Sequence, residues 1–199
     1  MEKMLEERRR TQEEEYFRQR EHALLSRMHQ RAALEAELEG IRSATGVADA
    51  DVAKAVRELG YQPETVPLVY LAPLVQVAWA DGRLTARERE YIEAAARARG
   101  IEAGSAAHEQ LVQWLDAAPP DECFRGTLQV LRRLLYALPA VERATREREV
   151  LVSCHGVAGA SRGLLGLGPR LSAAERSLLE TIEAELAPAL PVMPSHALA

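Results

Sequence analysis

From residue 1 to residue 39 the chain carries neither proline nor glycine, and apolar side chains are thinly spread among Glu and Arg. Met1, Leu5, Tyr16, Phe17, Leu24, Met28, Leu34 and Leu38 recur at loosely helical intervals, which predicts one long helix with a partial apolar seam and a solvated remainder. Glu6 before Arg10 and Glu14 before Arg18 stand in the favourable i, i+4 order. Between Leu5 and Tyr16 polar residues fill positions where a heptad asks for apolar ones. Three readings follow: a solvated spacer helix, a disordered segment, or a coiled-coil-like arm centred on Tyr16, Phe17, Leu24 and Met28 that associates with itself or with a protein partner. Gly40 and the cluster Ser43-Ala44-Thr45-Gly46 are the expected stop and hinge.

Beyond the hinge the apolar positions become denser. Asp49 or Asp51 is placed to cap a short helix ending at Gly60, with Val52, Val56 and Leu59 on one side. Pro63-Glu64-Thr65 then opens the longest nearly uncharged run, Val66 to Ala80, which reads as a buried central helix kinked at Pro73. Leu84, Tyr91, Ile92 and Ala95 line one face of a charged helix that Gly100 stops. Ser105 caps another, with Leu111, Val112, Trp114 and Leu115 inward. After Pro119-Pro120-Asp121, the residues Phe124, Leu128, Leu131, Leu134, Leu135 and Leu138 keep a helical period and mark core. Pro139 ends that helix, and the next runs from about Val141 through Leu151, Val152 and His155 to Ala160. A glycine-rich connector, residues 159 to 169, leads to a Ser172 cap and a last helix carrying Leu178, Leu179, Ile182 and Leu186. Pro188, Pro191 and Pro194 break up the remaining residues, where no order is expected.

The expected fold class is all-α: a compact multi-helix bundle with an internal pseudo-repeat and a long N-terminal helical extension. Its divisions are an arm over 1–40, a hinge and short helix over 41–61, the helical domain over 62–187, and a tail over 188–199. Composition agrees, since 47% of residues are hydrophobic, only 5% are aromatic, and Ala and Leu dominate. A net charge of −5 gives no electrostatic reason to bind nucleic acid or an anionic membrane surface. The central apolar run is shorter than the roughly 20 residues that a bilayer crossing needs, so no direct membrane insertion is expected. Cys123 and Cys154 lie far apart without a CxxC, which favours ordinary packed thiols, and the charged N-terminus has no apolar leader core. A cytoplasmic protein is the expectation.

Candidate chemistry gathers where the central run meets the charged helix, at Trp79-Ala80-Asp81-Gly82-Arg83-Leu84-Thr85. Asp-Gly favours a turn, and Thr85 with Glu88 makes a capping box. Arg170-Leu171-Ser172-Ala173-Ala174-Glu175 repeats the order basic, Leu, hydroxyl, two spacers, Glu, and reads as an equivalent helix start in a duplicated unit. These features together, over about residues 62 to 187, resemble the TerB-like family associated with tellurite resistance. The resemblance implies an all-helical bundle, a role in tellurite or another stress response, and a divalent-cation site, Ca²⁺ or Mg²⁺, at the helix junctions. Carried over, it implies Asp81, Glu88 and Glu175 as donors. The second junction departs from the pattern, because Ala160-Ser161-Arg162-Gly163 puts a cation where the first has an acid. His155 would add a nitrogen near Asp81 only if the two junctions packed together; otherwise it reads as a hydrogen-bonded core histidine. Glu88 also has a purely structural use in its capping box, and Asp81 in its turn.

The connector glycines lack the Gly-Lys-Ser/Thr of a phosphate loop, and no nucleophile elbow, HExxH or Ser-His-Asp order is present, so no catalytic residue is expected. The functional expectation is a non-enzymatic helical scaffold or interaction protein, with a dedicated metal-ion sensor or sequestering protein as the rival.

Overall fold

Eight α-helices and one 3-10 turn account for the regular structure of a computed structural model that describes residues 2–160 and 171–187, and no strand occurs among those residues. The first helix, α1 (Glu2–Thr45), is 44 residues long, about 66 Å at the usual rise. It runs straight through Gly40, where the sequence suggested a stop. The reason is a close approach: a methyl group at position 40 would stand 2.7 Å from Pro63 Cγ, so the glycine lets α1 lie against that loop. The stop comes at Gly46, whose φ of +70° suits a residue without a Cβ and whose N–H bonds Arg42 O at 2.9 Å.

Among the described side chains of α1, those that join the bundle are at its end. Ile41 is fully buried, Leu38 packs on the core, and Glu37 Oε2 accepts from Arg57 Nε at 2.8 Å across to α2 (Ala50–Glu58). Asp49 is the cap of α2, its carboxylate accepting the amides of Asp51 and Val52.

The apolar run after Pro63 does not form one kinked helix. It divides into the 3-10 turn Val66–Tyr70 and α3 (Ala72–Ala78), with a proline in the first turn of each. A proline there gives up an N–H that has no intrahelical partner, whereas in mid-helix it would delete a bond and clash with the preceding turn, so the chain restarts at Pro73. The expectation that this run is central holds. Leu74, Val75 and Val77 are fully buried, and α4 (Ala86–Ala98), α6 (Asp121–Tyr136), α7 (Ala140–Ala160) and α8 (Ala173–Leu186) pack around them. α5 (Ala106–Asp116), capped by Ser105, rests on the 3-10 turn.

In α6 the predicted period becomes the core face, with Phe124, Leu128, Leu131, Leu134 and Leu135 buried. Thr127 lies on that face too, and its hydroxyl meets the hydroxyl of Tyr61 at 2.9 Å. Burial raises the Tyr61 phenol above its usual range, and the ring stacks edge-on against Trp114 at 6.4 Å. Most of the glycine-rich connector, from residue 161, and the 188–199 tail lie outside the described residues.

Candidate functional site

The Asp81 junction is built from α3 outward. Trp79 closes α3, Gly82 takes a φ of +81°, and its N–H bonds Trp79 O at 2.9 Å. Asp81 Oδ1 accepts the amide of Arg83 at 3.0 Å, and the exposed Arg83 guanidinium lies 3.9 Å from Oδ2. The carboxylate therefore staples its own turn, the structural use that the Asp-Gly pattern suggested, and has a cation beside it. Thr85 and Glu88 form the predicted capping box, with Glu88 Oε2 2.7 Å from the Thr85 amide and Thr85 Oγ1 3.3 Å from the Glu88 amide. Glu88 is 3% exposed, a depth its charge tolerates because the first turn of a helix supplies amides and a favourable dipole.

Sequence reasoning missed two side chains that hold this junction in place. Trp79 Nε1 donates to Trp114 O at 2.9 Å, and Arg89 Nη2 donates to Leu115 O at 2.7 Å and to Asp116 Oδ1 at 2.6 Å. Both reach the C-terminal carbonyls of α5, where a cation and a donor are favoured. A half-buried indole that needs an acceptor was the available signal, but the acceptor is a backbone group 35 positions away.

The second junction repeats the first in its helix start. Ser172 Oγ accepts from Glu175 N at 3.0 Å, and the Ser172 amide donates to Glu175 Oε2 at 2.6 Å. The two junctions approach each other across a cleft of about 430 Å³, whose walls include Trp79 and Ala80 on one side and Ala174 and Leu178 on the other. Among the described residues, however, no three His, Cys, Asp or Glu side chains converge as a metal-ligand set, so Asp81, Glu88, Glu175 and His155 do not form one. Glu88 and Glu175 direct carboxylate oxygens at their own helix amides. This donor set does not fit a hard cation that asks for about six oxygens or more.

His155 is not a core histidine. It is 54% exposed, and its Nε2 lies 2.8 Å from Glu183 Oε1, linking α7 to α8 at the surface. The core position belongs to its neighbour Cys154, which is fully buried and whose thiol is pushed up to about 12 by burial. Adjacent helical residues point about 100° apart, so the helix assigns the inward direction to one of them.

A second cleft, of about 600 Å³, opens where α1 is rooted, between Thr45, Tyr70, Arg99 and the Glu142–Ser153 face of α7. Desolvation lowers the Arg99 guanidinium and raises the Tyr70 phenol. Arg99 and Arg146 are offset by Glu142 and Glu149, which leaves no dominant sign. Thr45 Oγ1 donates to Ile41 O and Ser153 Oγ to Glu149 O, so both hydroxyls are engaged by backbone carbonyls.

Among the described residues, most of the large apolar side chains left exposed lie on α1. Phe17 is 64%, Leu24 52% and Met28 66% exposed, with Tyr16 and Leu25 beside them. Residues 15–36 of this helix are exposed throughout, so the bundle covers none of this face. Among the described residues no helix is long and apolar enough to cross a membrane. No family model matches the chain, and neither curated proteins nor solved structures give a match.

Proposed function

We propose that this chain is a non-enzymatic, TerB-like helical scaffold whose bundle anchors a projecting association helix. The observation that carries the reading is the row Phe17, Leu24 and Met28, large apolar side chains more than half exposed on a helix that has left the bundle. Such a row is costly to leave in water and gains free energy only when another surface covers it. The root of the helix supports the same reading, since buried Ile41 and the Glu37–Arg57 pair fix its direction. Through the TerB-like resemblance, the process served is tellurite resistance or another stress response. The paired capping boxes at Thr85 and Ser172 support that likeness.

The test replaces Phe17, Leu24 and Met28 together by Glu in the full chain. The variant should keep the melting transition of the bundle and lose self-association or capture of its protein partner. Unchanged mass and capture would reduce the helix to a spacer. The rival, a metal-ion sensor, asks for donors that the junctions commit elsewhere. Calorimetric titration with Ca²⁺, Mg²⁺, Mn²⁺ and Zn²⁺ should show no micromolar site that Asp81→Ala abolishes; such a site would favour the rival.

A further inference from the structure

We propose that the cleft of about 600 Å³ at the root of α1 is a binding site for a small monocarboxylate with an apolar body, its head held by the Arg99 guanidinium and the Tyr70 hydroxyl. The volume lies within the roughly 300–1,000 Å³ usual for small-molecule sites. This cleft and the exposed row Phe17, Leu24 and Met28 involve different residues, so either reading can fail without the other.

Two half-buried donors in the cleft lack acceptors. Arg99 closes α4, and its guanidinium carries five N–H groups. Among the described residues that guanidinium makes one hydrogen bond, from Nη1 to Ala95 O at 3.2 Å, and no carboxylate stands within ion-pair distance of it. Glu149, the acid that acts on Arg99 most strongly, is itself bonded to Arg146 at 3.4 Å. Burial thus takes water from the Arg99 cation without supplying a partner, which is costly. Tyr70 lines the same cleft, and among the described residues its hydroxyl has no hydrogen-bond partner either. The hydroxyls of Thr45 and Ser153 are engaged by backbone carbonyls, so Arg99 and Tyr70 are the half-buried donors left for a ligand.

A planar guanidinium takes both oxygens of a carboxylate in a fork, and a phenol can add a third bond. The walls set the rest of the ligand. Val66 and Val150 are buried, Pro67 and Leu138 are half-buried, and all four line the cleft, which asks for an apolar body. Glu142 and Glu149 line it as well, so a second negative charge on the ligand would meet like charge. That selects a monocarboxylate over a phosphate dianion.

The experiment is calorimetric titration of the full chain with octanoate, with octylamine and inorganic phosphate as comparisons, on the native protein and on Arg99→Gln, Tyr70→Phe and Val152→Glu. Val152 lines the cleft and is 62% exposed, so a carboxylate there should oppose the ligand without disturbing the core. Octanoate should bind the native chain saturably, with octylamine and phosphate about tenfold or more weaker. Arg99→Gln and Val152→Glu should each raise the octanoate dissociation constant about tenfold or more, and Tyr70→Phe by a smaller factor, with far-UV circular dichroism unchanged. No saturable octanoate binding in the millimolar range overturns the site. Octanoate binding that Arg99→Gln leaves unchanged, or that octylamine matches, overturns the carboxylate head; phosphate that displaces octanoate overturns the singly charged, apolar class. Should Arg99→Gln fail to fold, Tyr70→Phe and Val152→Glu decide in its place, and octanoate binding indifferent to both overturns the site.

Discussion

Gly156 lies in the interior of α7, where an exchange to Ala ordinarily stabilises by about 1 kcal/mol through helix propensity. Here the opposite sign is expected. A methyl group at 156 would meet Tyr91 of α4, with the phenol Oη and Cζ closer than atoms can approach and Cε2 at 3.0 Å. Relief requires the whole ring to swing, and Tyr91 packs on the core between α4 and α7. Forcing an extra carbon into such a contact costs roughly 1–3 kcal/mol. Set against the propensity gain, Gly156→Ala should lose about 1 kcal/mol, or some 2–4 °C in melting temperature for a chain of this size. The same exchange in a Tyr91→Ala background meets no ring, and should gain about 1 kcal/mol. Urea denaturation followed by far-UV circular dichroism on the four proteins reads the coupling directly, with an expected value of about 2 kcal/mol. If Gly156→Ala stabilises both backgrounds equally, Tyr91 does not depend on the missing Cβ and the reasoning fails.

Other expectations follow from the same contacts. Ser172→Ala and Thr85→Ala should each cost about 1 kcal/mol, because each removes the side-chain acceptor of a capping box; thermal melts that match the native chain would contradict the caps. Tyr61→Phe leaves the buried Thr127 hydroxyl without its 2.9 Å partner, at a cost of about 1–2 kcal/mol, and Tyr61→Phe with Thr127→Val should recover part of that loss in chemical denaturation. A thiol-specific reagent near neutral pH should modify the half-buried Cys123 in the folded chain and reach Cys154 only after unfolding. The pH effect of Cys154 has a definite sign. Its folded value is raised to about 12 from 9.0, so the unfolded chain loses the proton first. Stability from this group is full below about 9 and falls as pH rises toward about 12, and Cys154→Ala should flatten that decline.

How much of this was legible beforehand depended on whether the deciding interaction was local. The helix starts at Thr85 and Ser172 were read correctly because a capping box closes within four residues of chain. The buried face of α6 followed from its period, and the solvation of the arm from its crowding with Glu and Arg. Gly40 was misread because a glycine that ends a helix and one that admits a neighbouring loop look the same in sequence. Pro63, the neighbour in question, lies 2.7 Å from where the methyl would be and 23 positions away. Pro73 was read as a kink because the apolar pattern continues through it, but a proline in a first turn and a proline inside a helix leave the same trace in hydropathy.

The proposed junction site shows the same division. Sequence supplied Asp81, Glu88 and Glu175 and the turns that carry them. Tertiary structure decided where their oxygens go: Asp81 to the Arg83 amide, Glu88 and Glu175 to their own helix starts. It also gave the junction its clasp, Trp79 and Arg89 on the last carbonyls of α5, and it divided Cys154 from His155 by turning one inward and the other toward Glu183. Periodicity, caps and charge act between residues a few positions apart, so the sequence alone determined an all-helical chain with a charged, sparsely apolar arm. Which apolar faces would be covered, and which left in water as on Phe17, Leu24 and Met28, was decided only when α3 became enclosed, because burial depends on neighbours that the chain brings from far away.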